Sequence, residues 1–227
     1  MNFAPPLLLD LDGSLVDSVY YHVLAWQAAF HEDGIDLPLW RIHRKIGMGS
    51  ALFVQSVLRE NGLTLSRERE SRLIDLHGAH FQPYKERVQP LPGAKALLAA
   101  LTAMQHPFAI ATSSRIQEAE RSLKLLELPS EVPIISGDDV AQAKPAPELF
   151  MTAAERLGHA PGTTVVVGDS PWDMTAARLA GAQAAGLLTG GFADSELTHS
   201  GAIAVFADPG EMRQRLNELG IYERDGM

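Results

Sequence analysis

The sequence predicts an α/β protein: a doubly wound parallel sheet with a helical subdomain inserted after its first strand. Three observations carry this reading. From about residue 94 onward, short apolar runs alternate with helix-length amphipathic segments, the pattern of βαβ units. A purely helical block separates the first apolar run from that series. Polar residues able to do chemistry follow the predicted strands, where ligands bind in open α/β sheets.

Residues 7–11 are a short apolar run that ends in acidic residues and Gly13, a buried strand running into a loop. Helical periodicity follows: Val19, Val23, Ala25, Trp26, Ala29 and Phe30, then Leu52, Phe53, Val54, Val57 and Leu58, then Leu73, Leu76, Ala79 and His80. Glycines and Pro38 punctuate this block into three to four helices, with no convincing strand. It is assigned to 17–87, and the α/β core to 1–16 with 88–227. A Pro/Gly hinge at 89–93 closes it. The periodicity then predicts helices over 94–104, 115–126, 148–157, 174–180 and 209–219. Strands are predicted over 108–112, 132–135, 164–168, 184–188 and 202–205. Gly190-Gly191 reads as a turn.

Composition narrows the function classes. Hydrophobic residues make up 46% and charged residues 21% of the 227, enough for a sizeable core and against general disorder. The net charge is −9 with no long Lys/Arg run, which argues against nucleic acid or an anionic membrane as partner. No stretch approaches the roughly 20 apolar residues of a membrane span. The N-terminal run lacks a basic segment and is cut by Asp10, unlike a signal peptide. With no cysteine there is no disulfide, thiolate nucleophile or Cys-based zinc site, and a reducing cytoplasm is the expected location. Nothing in the sequence specifies an oligomeric state.

The strand ends carry Asp10-Leu11-Asp12-Gly13-Ser14, then Thr112-Ser113-Ser114, then Lys144-Pro145 after a loop, then Gly168-Asp169-Ser170-Pro171-Trp172-Asp173. Asp10 and Asp12 are two apart and, in extended chain, point the same way. Two carboxylates at about 4 Å repel by roughly 4 kcal/mol at an effective dielectric of about 20. Asp169 adds a third, so the cluster calls for a cation. Oxygen donors with no Cys and no evident His point to Mg²⁺. Taken singly, each piece has a structural reading: Asp-x-Asp-Gly as a turn, Ser or Thr as an N-cap, Lys-Pro as loop surface. Their conjunction in this order favours a site.

Four segments carry a family resemblance: Asp10-Leu11-Asp12-Gly13-Ser14-Leu15-Val16-Asp17-Ser18, Ala111-Thr112-Ser113-Ser114, Lys144-Pro145-Ala146-Pro147 and Val167-Gly168-Asp169-Ser170-Pro171-Trp172-Asp173. They resemble, in order, the four motifs of the haloacid dehalogenase-like superfamily, from residue 7 to about 188. The helical block resembles its C1 cap, as in phosphatases of the phosphoglycolate phosphatase and β-phosphoglucomutase type. Ser14 stands where the family usually has Thr. The resemblance implies a magnesium-dependent phosphatase acting on a small phosphorylated metabolite, phosphoglycolate or a sugar phosphate. It implies Asp10 as nucleophile and Asp12 as general acid and base. Thr112, the Ser113 N–H and Lys144 would bind phosphate. Mg²⁺ would lie on Asp10, the Asp12 carbonyl and Asp169, with Asp173 supporting the metal or Lys144.

General-acid work requires a raised Asp12 pKa. The presence of Asp12 argues against true dehalogenases, which need no such acid. Lys45 reads as a solvated helix-end cation rather than the Schiff-base lysine of phosphonate-cleaving relatives. Arg41, Arg44 and Lys45 are nonetheless candidates for a substrate-facing cationic patch. His77 and His80 share a helix face, an incidental pairing without a third ligand, and Trp172 reads as a packing residue. A phosphomutase shares all four motifs and is the alternative. A receiver-like phospho-Asp switch is remote, since such domains lack a cap.

Overall fold

The computed structural model describes residues 4–222. The ends of the expected core range, 1–3 and 223–227, lie outside the described residues. Strand β1 (Leu7–Leu9) is fully buried. Four helices follow: α1 (Val19–Glu32), α2 (Leu39–His43), α3 (Ser50–Glu60) and α4 (Arg67–Phe81), then a 3₁₀ segment, Gln82–Arg87. The chain then alternates through α5 (Ala94–Ala103), β2 (Phe108–Ala111), α6 (Ile116–Leu125), β3 (Ile134–Ile135), α7 (Glu148–Arg156) and β4 (Val165–Gly168). It ends with α8 (Pro171–Ala180), β5 (Gln183–Leu187), α9 (Asp194–Ser200), β6 (Ala202–Phe206) and α10 (Pro209–Gln214).

All six strands are parallel, in the order β3-β2-β1-β4-β5-β6. β1 is central, with Leu9 opposite Ile110 on one side and Val167 on the other. Parallel strands covered on both faces read as continuous apolar runs, which is why Leu-Leu-Leu and Val-Val-Val suit these positions. Successive side chains serve opposite faces. Leu7 and Leu9 join the core beneath α5, α6 and α10, with Leu97, Leu123 and Met212. Leu8 joins the core beneath α7, α8 and α9, with Phe150, Met174 and Leu197. This is the doubly wound sheet.

Helices α1–α4 have a core of their own, built from Trp26, Phe30, Ile42, Phe53, Val54 and Leu73. Asp33, at the end of α1, accepts from Arg69 Nε at 2.7 Å and from Arg72 Nη1 at 3.0 Å, tying α1 to α4.

Several boundaries differ from the sequence expectation. β1 stops at Leu9; beyond it the chain turns, with the N–H groups of Ser14, Leu15 and Val16 directed at the Leu11 carbonyl and Gly13 left-handed (φ 84°). The helix expected at 174–180 begins at Pro171. Ser170 caps it, Pro171 needs no N–H there, and Asp173 reaches back to the Ser170 N–H. The closing helix breaks after Gln214 into a 3₁₀ turn, Leu216–Leu219. α9 was not anticipated; only Leu197 of its seven residues is buried, so it has no apolar stripe.

Candidate active site

The candidates from the four motifs sit at the carboxyl edge of the sheet. Asp10 follows β1, its N–H donating to the Val167 carbonyl at 2.9 Å. Thr112 follows β2, its N–H donating to the Ile135 carbonyl at 2.9 Å. Asp169 follows β4, and Lys144 lies in the loop after β3. The glycines let these loops converge. A Cβ at Gly13 would stand 2.4 Å from Asp169 Oδ2, and one at Gly190 would stand 1.9 Å from the same atom. A side chain at either position would force the Asp169 carboxylate or the loop to shift.

Lys144 is buried and its Nζ donates to Asp10 Oδ1 at 2.6 Å and Asp173 Oδ1 at 2.8 Å. Asp173 is in turn held by Ser170, whose hydroxyl donates to Oδ2 at 2.6 Å. Ser14 donates toward Asp169 Oδ1 at 3.2 Å and Asp10 Oδ2 at 3.4 Å. The residue noted in the sequence only for differing from the usual Thr therefore bridges two carboxylates. Burial pushes the Asp10 carboxyl up to about 7, against the pull of Lys144 and with the help of Asp173. Burial, then Asp173 and Asp10, raise Asp169 well above the ordinary carboxylate range. The same environment lifts the Lys144 ammonium above its ordinary value: its burial opposes this and the charges of Asp10 and Asp173 outweigh it.

Carboxylate oxygens of Asp10, Asp169 and Asp173 lie within 4.8 Å of one another, all buried. Three crowded hard donors against one ammonium fit a divalent cation. The side chains of Asp10 and Asp169, expected to share the cation with the Asp12 carbonyl, are in this set. Asp173 joins it, and the Asp12 carboxylate lies in a different network.

Asp12 accepts from Ser18 at 2.7 Å, from Ser114 at 3.0 Å and weakly from Thr112 at 3.4 Å. His22 Nε2 lies 3.5 Å from its Oδ1. Burial by itself would raise this carboxyl. His22, then Ser18 and Ser114, outweigh burial and hold it well below the usual range. The raised pKa expected of a general acid is thus corrected: converging donors favour the ionised, basic form.

The helical block forms part of the wall of the hollow beside these groups. Asp10, Asp12, Thr112, Ser113 and Lys144 share its wall with His22, Trp26, Lys45, Phe53, His77 and Glu118. The helical block touches the Lys144 loop directly, since the Gly49 N–H donates to the Lys144 carbonyl at 2.9 Å. Of the three cationic candidates, Lys45 alone lines this hollow. It is largely covered rather than solvated and donates to Glu60 at 2.6 Å. Arg41 faces Glu60 at 3.7 Å, while Arg44 pairs with Glu196 and lies over the Phe192 ring. Trp172 is half-buried beside Gly47.

Sequence reasoning missed His22 and Glu118 and gave His77 no role. His77 is buried, stacks on Trp26, and its Nε2 lies 3.1 Å from His22 Nδ1. His80 instead meets Glu32 at 3.0 Å. His22 falls ten residues after Asp12, and no local pattern distinguishes it from an ordinary helix-face residue.

Residues 7–181 match the model of the haloacid dehalogenase-like hydrolases. Phosphoglycolate phosphatase of Rhodospirillum rubrum is 30% identical, over 89% of this chain and 86% of that protein. Hexitol phosphatase A of Escherichia coli is 31% identical over 72% of this chain and 74% of that protein. The crystal structure of a hydrolase from Pseudomonas syringae is 40% identical with a TM-score of 0.91, covering 94% of this chain and 98% of that one.

Proposed function

Because the chain belongs to the haloacid dehalogenase-like hydrolase family, we propose that it is a phosphatase. It hydrolyses a small soluble phosphomonoester, of phosphoglycolate or sugar-phosphate type, through an aspartyl phosphate on Asp10. One observation carries this reading. Asp10, Asp12, Thr112, Ser113 and the buried Lys144 line one hollow at the sheet edge, with the Asp169 and Asp173 carboxylates clustered beside Asp10. The names of the relatives support it.

In this reading residues 17–87 form the cap and 1–16 with 88–227 the catalytic core. Asp10 attacks phosphorus, and splitting the reaction into two transfers lowers each barrier. Thr112 and the Ser113 N–H hold phosphoryl oxygens, and Lys144 offsets their charge against that of Asp10. Asp12, held ionised by its donors, takes the proton of the water that cleaves the intermediate. Both halves of its role, taking that proton and protonating the leaving alcohol, require those donors to loosen, because they lower its basicity. Mg²⁺ fits the oxygen donors of Asp10, Asp169 and the Asp12 carbonyl, with Asp173 holding Lys144, and would supply charge neutralisation at the transferring group.

The test is phosphate release across a panel of metabolite monoesters, with Mg²⁺ or EDTA, for wild type and Asp10→Asn. Turnover is expected only in wild type with Mg²⁺, while Asp10→Asn keeps the wild-type far-UV spectrum. Turnover by Asp10→Asn in EDTA would reject the mechanism.

A further inference from the structure

Glu118 lies in the first turn of α6, on the core side, and is half-buried. It lines the same hollow as Asp10 and Asp12. Across the seam it faces α4 of the cap, where a methyl at Gly78 would stand 3.9 Å from Glu118 Oε1. Among the described residues no side-chain hydrogen bond or ion pair engages this carboxylate, whereas its neighbour Glu120 holds Lys124 at 2.7 Å. The helix capping around it does not use it either, because the Ile116 N–H is taken by Asp138. Its place in the first turn of α6 suits the helix dipole, but no side-chain contact fixes where this half-buried carboxylate points.

The charges around it do not cancel it. Lys45, the cap cation of the hollow, donates to Glu60. His77 is neutral at physiological pH, since burial and then His22 hold it well below 6.5. His22 itself is engaged with Asp12 and His77. Arg115 lines a neighbouring cleft that Glu118 also borders, and among the described residues it makes no ion pair with Glu118. Burial pushes the Glu118 carboxyl up, with His22 and Arg115 opposing. Besides Asp10, Asp12, Thr112, Ser113 and Lys144, the hollow therefore presents aromatic surface, from Trp26 and Phe53, and one carboxylate that no side chain engages.

We propose that Glu118 is a specificity-determining residue: its carboxylate repels anionic leaving groups, so the site prefers phosphate esters of uncharged, hydroxyl-bearing alcohols over phosphorylated carboxylates. This rests on the phosphatase reading and selects within it the polyol or sugar class. Two like charges a few ångströms apart in such a hollow discriminate by about tenfold or more. Glu118 also offers acceptor oxygens to a leaving-group hydroxyl, which a carboxylate ligand cannot use.

Phosphoglycolate and hydroxyethyl phosphate form a matched pair, differing only in COO⁻ against CH₂OH. The readout is the ratio of their kcat/KM values at about pH 8, where a carboxylate is ionised. Wild type is expected to favour hydroxyethyl phosphate. Glu118→Gln is expected to shift the ratio toward phosphoglycolate by about tenfold, and Glu118→Lys further. The same ratio is read as affinity, by calorimetry, in Asp10→Asn and in Asp10→Asn combined with Glu118→Gln. An affinity ratio that shifts without any turnover in wild type would sink the phosphatase reading and leave the role of Glu118 standing. An unchanged ratio in both measurements, or a wild type that prefers phosphoglycolate, would overturn the proposal.

Discussion

Nζ of Lys144 stands 2.6 Å from Oδ1 of Asp10, and both side chains are about 2–3% exposed. One ammonium thus holds together a buried set of carboxylates, Asp10 and Asp173 by contact and Asp169 by proximity. Removing one partner of a buried ion pair leaves an uncompensated charge and costs about 3–5 kcal/mol. Lys144→Met is expected to lower the stability by that order in EDTA, to be partly restored by Mg²⁺, and to lose phosphate release. Denaturant titration with and without Mg²⁺ checks it. A midpoint equal to wild type in EDTA would contradict this account of the cluster.

His22 touches Asp12 through one ring nitrogen and His77 through the other, and its ring stacks on Phe81 with centroids 4.0 Å apart. His22→Phe keeps the stack and removes the polar contact. If His22 orients Asp12 for proton transfer, kcat falls by about tenfold to a hundredfold with little change in KM. A change in KM alone would instead make His22 a substrate contact.

His77 bears on stability against pH. Its neutral form is favoured in the fold, so its pKa lies well below the unfolded 6.5. The unfolded chain therefore binds a proton that the folded chain refuses. Its contribution to stability is complete above 6.5 and declines as pH falls toward the folded value, by up to about 1.4 kcal/mol per pH unit. His77→Phe retains an aromatic ring against Trp26 and should remove this part of the slope. Chemical denaturation at about pH 7.5 and about pH 5.5 should give wild type an extra loss of about 1 kcal/mol. Equal losses in both proteins would refute it.

Gly190 has no room for a side chain beside Asp169. Gly190→Ala forces either the Asp169 carboxylate or its own loop to move. Divalent-ion affinity, read as Mg²⁺-dependent thermal stabilisation, is expected to fall by about tenfold or more. Gly162→Ala, whose Cβ would find its nearest atom at 3.5 Å, serves as the control. Matching Mg²⁺ responses in the two variants would dissociate Gly190 from the cation site.

The parts of the site legible in the sequence obey a local rule. Asp10, Thr112 and Asp169 each directly follow an apolar run, and in a parallel sheet every such position lies on one edge. The direction of the Asp12 side chain was not legible. Period-2 alternation holds only while the chain is extended, and β1 ends at Leu9 before a glycine turn. α9 was hidden because its stability comes from Glu196 accepting from the Ala193 N–H and from Leu197, not from an apolar stripe.

The sequence by itself determined the sheet, its covering layers and the acidic, hydroxyl and ammonium groups on its edge. These depend on spacing within single strands and the loops that follow them. Tertiary structure alone decided which residues meet them. His22 and His77 come from α1 and α4, and Glu118 from α6, segments far apart in the chain. A helix face that packs well reads the same whether it covers a core or a catalytic hollow. Only the meeting of α1 and α4 with α6 at the sheet edge turned such faces into walls of one hollow.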